Sequence, residues 1–232
     1  MPASFLNTFL FVGLPYLMLA LAIALSVLRF KVKPFTYSSL SSQFLENEQL
    51  YWGSNLWHWG ILCVLLGHLF AFVMPRTLLA WNAQPLRLFL LESSGLAMAL
   101  LALVGILGLF VRRLTNARIK AVTSAMDLVL LGFLLLQAGT GIDTAIRFRW
   151  GSSWYASIAV PYLRSLLIFA PRPELLVNLP WSVKLHILSG FTILGLLPFT
   201  RLVHFLVVPF HYLWRRPQVV IWNRRPASGQ GR

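Results

Sequence analysis

The chain has 232 residues, of which 58% are hydrophobic and 11% charged, with a mean hydropathy of +0.72 and a formal net charge of +14 at pH 7. A soluble domain of this length cannot hide so much apolar surface, and apolar runs of 18 residues or more recur, each long enough to cross about 30 Å of hydrocarbon. This excludes a soluble enzyme, and it turns the basic excess from a nucleic-acid signal into one of orientation and anionic lipid, because Lys and Arg gather at the ends of the apolar runs.

Five membrane-spanning helices are predicted. The first runs from Phe5 to Leu28 with Pro15 inside it, a kink that neighbouring helices must re-satisfy. Its start lacks the basic residues of a cleaved signal peptide, so this span is expected to be retained. A polar connection from Arg29 to Gly53 leads to the second span, Asn55 to Val73, which stops near Pro75. The link from Met74 to Leu86 reads as interfacial. The third span, Leu88 to Val111, carries Glu92 near its start and ends at Arg112-Arg113. The fourth, Ala121 to Gly141, buries Asp127. A long connection from Ile142 to Pro180 holds a short amphipathic helix around Tyr155–Phe169. The fifth span, Trp181 to Val208, is interrupted by Pro198. The whole reads as one all-α, polytopic membrane domain over 1–232, with 209–232 as a basic cytoplasmic tail.

With five spans the termini lie on opposite sides. An outside N-terminus puts twelve basic residues on the inner segments (from Arg29, Lys31 and Lys33 through Arg112–Lys120 to the tail) and six on the outer ones. That distribution places the C-terminus in the cytoplasm.

Histidines carry the chemistry. His58 and His68 lie ten residues apart in the second span, about 15 Å along a helix axis and about 80° around it. His186 and His204 lie in the fifth. Imidazoles in lipid are costly without partners, so four in two spans read as functional. Antiparallel geometry pairs His58 with His204 and His68 with His186. The axial offsets disagree, about 15 Å against about 27 Å for a continuous helix, and tilt or a bend at Pro198 has to absorb the difference. Two neutral imidazoles per site lack the three or four ligands of zinc centres, whereas a porphyrin supplies the other four and an apolar face suited to a bundle. The expected cofactors are two haem b groups. Gly60, Gly67 and Gly190 are expected where a macrocycle lies against a helix. Arg201 and Arg112 or Arg113 are the candidate partners of the haem propionates. The single cysteine, Cys63, forms no internal disulfide and alone supports no iron–sulfur cluster.

These residues resemble a known family, the gamma subunit of respiratory nitrate reductase. The likeness is carried by Ser54-Asn55-Leu56 before His58, Gly60-Ile61-Leu62, Gly67-His68, Leu185-His186 with Gly190, and Pro198-Phe199 with Arg201-Leu202-Val203-His204; Thr200 stands where a serine is usual. It extends to Arg112-Arg113, Asp127 and the basic tail. The resemblance implies a quinol-oxidising membrane cytochrome b. Quinol would bind near the outer haem at Gly67, His68 and Arg87, the last in place of the family's lysine. Electrons would pass to an iron–sulfur beta subunit and on to a molybdenum alpha subunit that reduces nitrate. Glu92 is either a quinol proton acceptor or a satisfied helix-end carboxylate. Competing readings are a related cytochrome b feeding a sulfur-handling or other cytoplasmic module, and a haem-free anchor.

Overall fold

The computed structural model describes residues 5–33, 36, 45 and 48–207. The tail at 209–232, with His211, lies outside them, as does most of the first polar connection. The described residues form helices and turns, with no strand among them. Seven helices organise the described residues: α1 (Phe5–Val32), α2 (Glu48–Val73), α3 (Pro75–Asn82), α4 (Pro85–Thr115), α5 (Ala125–Arg147), α6 (151–167) and α7 (Trp181–Leu196). Of these, α1, α2, α4, α5 and α7 with its extension to Phe199 are long and apolar enough to cross a membrane. Few residues of these spans are buried within the chain; Trp59, Leu62, Leu65, Leu66 and Leu69 of α2 all face outward. Such a surface suits lipid, which is as apolar as leucine.

The bundle is built in two halves. Trp57 of α2, Ala102 and Ile106 of α4, and Leu130, Leu131 and Leu134 of α5 form one core. Phe11 of α1, Tyr162 and Leu166 of α6, and Val183 and Phe191 of α7 belong to the other, with α5 packed on α7 joining them. Glycine sets the closest approach. A Cβ on Gly60 would fall 2.5 Å from the Ala102 backbone nitrogen, and one on Gly105 would meet the Trp57 backbone, so α2 and α4 lie nearly backbone to backbone. This corrects the expectation for Gly60: it serves the helix–helix contact, as small residues do in membranes. Gly190 faces the Gln137 side chain, whereas a Cβ on Gly67 would meet nothing within 4 Å.

Each proline in a span is answered from elsewhere. Pro15 has no N–H for the Phe11 carbonyl, and the helix widens into a π-helical turn at Phe9–Gly13. The Tyr162 hydroxyl donates to that carbonyl at 2.7 Å, and Tyr16 returns a hydroxyl bond to the Leu166 carbonyl at 2.9 Å. At Pro198, α7 ends at Leu196. A short 3₁₀ segment, Leu197–Phe199, follows, then extended Thr200, and a second 3₁₀ run, Arg201–Val207. The Leu194 carbonyl, deprived of its usual partner, takes the Leu197 N–H. Arg29 at the end of α1 donates to the Pro198 and Thr200 carbonyls at 2.6 and 3.1 Å, tying down the break.

The connections at 74–86 and 142–180 are more ordered than the sequence indicates. Pro75 ends α2 but starts α3, since proline fits the first turn of a helix. The amphipathic helix expected around Tyr155–Phe169 forms at 151–167. Its N-terminus receives the Glu92 carboxylate, which accepts the Ser152 N–H at 2.7 Å and the Ser152 hydroxyl at 2.5 Å, so Glu92 is a satisfied helix-end carboxylate. Arg164 donates to the Phe72 and Val73 carbonyls at the exposed end of α2.

Candidate functional site

The four histidines meet in two pairs. His58 of α2 and His204, beyond the Pro198 break, have ring centroids 6.4 Å apart; His68 of α2 and His186 of α7 are also 6.4 Å apart. The offset mismatch disappears because the residues between His186 and His204 are not one helix: the break at 197–200 replaces the five-turn spacing of the sequence argument.

The separation can be tested against iron. Metal–imidazole nitrogen bonds are about 2.0–2.1 Å, and each ring centre lies a little over 1 Å behind its nitrogen, so two axial imidazoles put their centroids about 6.3 Å apart. Both pairs fit. Ring nitrogens fit as well. His58 Nδ1 donates to the Ser54 carbonyl at 2.7 Å, His68 Nδ1 to the Val64 carbonyl at 2.8 Å and His204 Nδ1 to the Arg201 carbonyl at 2.7 Å. Each Nε2 is then left with its lone pair, and no hydrogen bond reaches these three Nε2 atoms from the described residues. Backbone carbonyls behind ligating imidazoles are the usual outer shell of a metal site. Among the described residues no group of three or more His, Cys, Asp or Glu side chains gathers to hold an ion.

His186 differs. Its Nδ1 lies 3.1 Å from both the Gln137 carbonyl and the Thr140 hydroxyl, on the neighbouring α5. The Gln137 carboxamide donates to its Nε2 at 3.1 Å, and the Gln137 oxygen accepts a short bond from the Ser189 hydroxyl. A haem at this pair therefore displaces one amide donor. Across from it, Tyr155 of α6 sets its ring edge-on to His68, with centroids 5.0 Å apart, and donates to the His68 carbonyl at 3.4 Å. Sequence reasoning missed Gln137, Thr140, Ser189 and Tyr155; the signal was the polar pair Gln137 and Thr140, one turn apart inside an apolar span.

Charges gather at the other end. Asp127, 6% exposed, pairs with Arg201 at 2.9 Å and with Arg113 at 3.4 Å, and closes a capping box with Ser124 at the start of α5. Arg112, next to Arg113 in sequence, is buried. Arg201 also donates to the Val122 carbonyl, so it is anchored one turn before His204. Arg87 lies at the His68 end. Its guanidinium stacks over Trp81 at 4.9 Å and lines an open pocket of about 300 Å³ with Phe70, Thr77, Ala80 and Trp81.

Fold and site together define a polytopic helical membrane protein that presents two imidazole pairs, each joining α2 to the chain at or beyond α7. The family model of the nitrate reductase gamma subunit matches residues 7–223. The chain is 34% identical to the respiratory nitrate reductase 2 gamma chain of Escherichia coli over 223 residues, covering 94% of this chain and 97% of that one. It is 31% identical to the nitrate reductase gamma chain of Bacillus subtilis, covering 91% and 96%, and 31% identical to the respiratory nitrate reductase 1 gamma chain of Escherichia coli, covering 94% and 98%. The chain belongs to the nitrate reductase gamma subunit family, and so to the subunits of an oxidoreductase complex.

Proposed function

We propose that the chain is the quinol-oxidising, di-haem cytochrome b subunit of a membrane-bound respiratory nitrate reductase. It crosses a prokaryotic cytoplasmic membrane with its N-terminus outside and its C-terminus in the cytoplasm. One observation carries this reading: the same imidazole separation, 6.4 Å, recurs at two levels of the bundle, between α2 and α7 at one and between α2 and the 3₁₀ run Arg201–Val207 at the other. Two haem b groups, when bound between these pairs, supply one-electron carriers at the two ends of the bundle.

The chain's own residues do the rest. His58 and His204 hold the inner site, and His68 and His186 the outer. Backbone carbonyls keep Nδ1 protonated on His58, His68 and His204, so the neutral tautomer presents Nε2. Arg112 and Arg201 would pair with the haem propionates, with Asp127 fixing the Arg201 side chain. Quinol binds at the outer end. Gly67 leaves open space beside His68, and Arg87, held on Trp81, donates to a quinone oxygen. A guanidinium does not lose its proton, so Arg87 orients the ring and water at the outer face takes the protons. Electrons leave at the inner end, to an iron–sulfur beta subunit and then to a molybdenum alpha subunit.

The test is direct. The purified chain in detergent, mixed with a reduced naphthoquinol, is expected to develop the absorption bands of reduced b-type haem within milliseconds to seconds. Haem that dithionite reduces and quinol does not would overturn the quinol reading while leaving the haem sites standing.

A further inference from the structure

Three of the four histidines take their Nδ1 acceptor from the backbone three or four residues earlier in their own segment. His186 does not. Its ring lies against α5, where a Cβ on Gly141 would come within 3.0 Å of its Cε1, and both of its nitrogens meet groups of that helix. The donors and acceptors assign themselves. The Thr140 hydroxyl donates to the Leu136 carbonyl at 2.7 Å, so its oxygen accepts from His186. The Gln137 oxygen accepts from Ser189, so its amide nitrogen faces the ring and donates. His186 is therefore protonated at Nδ1 and carries its lone pair at Nε2, where the amide holds the ring until iron takes the position.

We infer that Thr140 and Gln137 of α5 are the positioning residues of His186, fixing its tautomer and setting how strongly its Nε2 donates to iron. This rests on the di-haem reading above. An Nδ1–H bound to a good acceptor makes the imidazole more basic, and a more basic axial ligand favours ferric iron. Thr140 is one of two acceptors for that proton, and removing its hydroxyl weakens the ligand. The substitution is tolerable for the fold because Thr140 lines an open groove between α5 and α7, beside Leu136, Gly139 and Leu185, rather than the packed core.

The experiment is a potentiometric titration of both haems in the assembled complex, comparing wild type with Thr140→Val and Thr140→Ser. Thr140→Val raises the potential of the outer haem alone. At a fixed ambient potential its reduced-to-oxidised ratio rises roughly threefold to tenfold, tenfold being 59 mV for one electron. Thr140→Ser restores the wild-type value. Loss of only the outer haem in the valine variant, with the serine variant normal, supports the same assignment. Equal shifts of both haems, no shift with both haems present, a serine variant as perturbed as the valine one, or a valine variant that fails to assemble would each overturn it. Gln137→Leu keeps the backbone acceptor and is expected to bind the outer haem as fully as wild type; loss of that haem would show that the amide does more than hold the place. A wild-type protein without an outer haem would instead sink the di-haem reading itself.

Discussion

The two imidazole pairs share a separation but are held by different means. At the His58–His204 end the surroundings are charged and the chain is irregular. His204 sits past a proline break tied down by Arg29, and the Arg113–Asp127–Arg201 cluster locks the start of α5 to the last described segment. At the His68–His186 end the side chains that reach the imidazoles are uncharged. Tyr155, Thr140 and Gln137 come from two helices that carry none of the four histidines, and the ring planes lie 33° apart against 67° at the other end. One site is thus fixed by ion pairs that span the bundle, the other by hydrogen bonds between helices. In a low-dielectric medium the first depends on keeping its charges matched, and the second on keeping every donor and acceptor paired.

The sharpest way to break both ends at once is to part α2 from α4. Gly105→Leu forces a side chain into the Trp57 and Gly53 backbone; we expect a loss of about 3 kcal/mol or more and failure to retain either haem, read by thermal unfolding and haem content. Gly67→Ala, facing open space, serves as the control and should leave stability unchanged. Asp127→Asn next separates the ends. It leaves Arg113 and Arg201 without their carboxylate and should cost roughly 2–3 kcal/mol, with loosening confined to the haem of His58 and His204, visible as a changed low-spin signal by electron paramagnetic resonance. Arg87→Ala acts only at the other end. The KM for quinol should rise about tenfold, roughly 1.4 kcal/mol, with haem content intact, and Arg87→Lys should recover most of it.

The smallest effect concerns Tyr155. Its bond to the His68 carbonyl is long, so Tyr155→Phe should cost less than about 1 kcal/mol at neutral pH. Burial pushes the hydroxyl up from 10.0 to about 12. A raised folded value stabilises fully below pH 10 and is lost as pH climbs toward 12. The wild type should therefore lose stability over that alkaline window and the phenylalanine variant should lose less, as measured by denaturation midpoints from pH 8 to 12.

The spans were legible because lipid demands long apolar helices, and all five are present, although the fifth, expected to run to Val208, ends its α-helix at Leu196 and turns into 3₁₀ segments at Pro198. Their ends were less so. The second helix begins at Glu48, seven residues before the expected start, because Leu50, Tyr51 and Trp52 extend it past the apolar run. The fourth begins at Ala125 rather than Ala121, where Ser124 and Asp127 cap it, a pattern present in the sequence but outweighed there by hydropathy. Pro198 announced a break, yet nothing local revealed that Arg29, 169 residues away, would close it. The histidine pairing followed from antiparallel order alone. What held each ring did not, since that depends on which faces of α5 and α6 turn inward, and hydropathy carries no record of rotation about a helix axis.

The proposed function requires two separate haems, one between each imidazole pair. Haem-to-chain stoichiometry and low-temperature reduced-minus-oxidised spectra of wild type, His58→Ala and His186→Ala test it most directly. Two b-type haems are expected in the wild type and one in each variant, with the two variants retaining spectroscopically different haems. A colourless wild type, or variants that each lose both haems or neither, would contradict it.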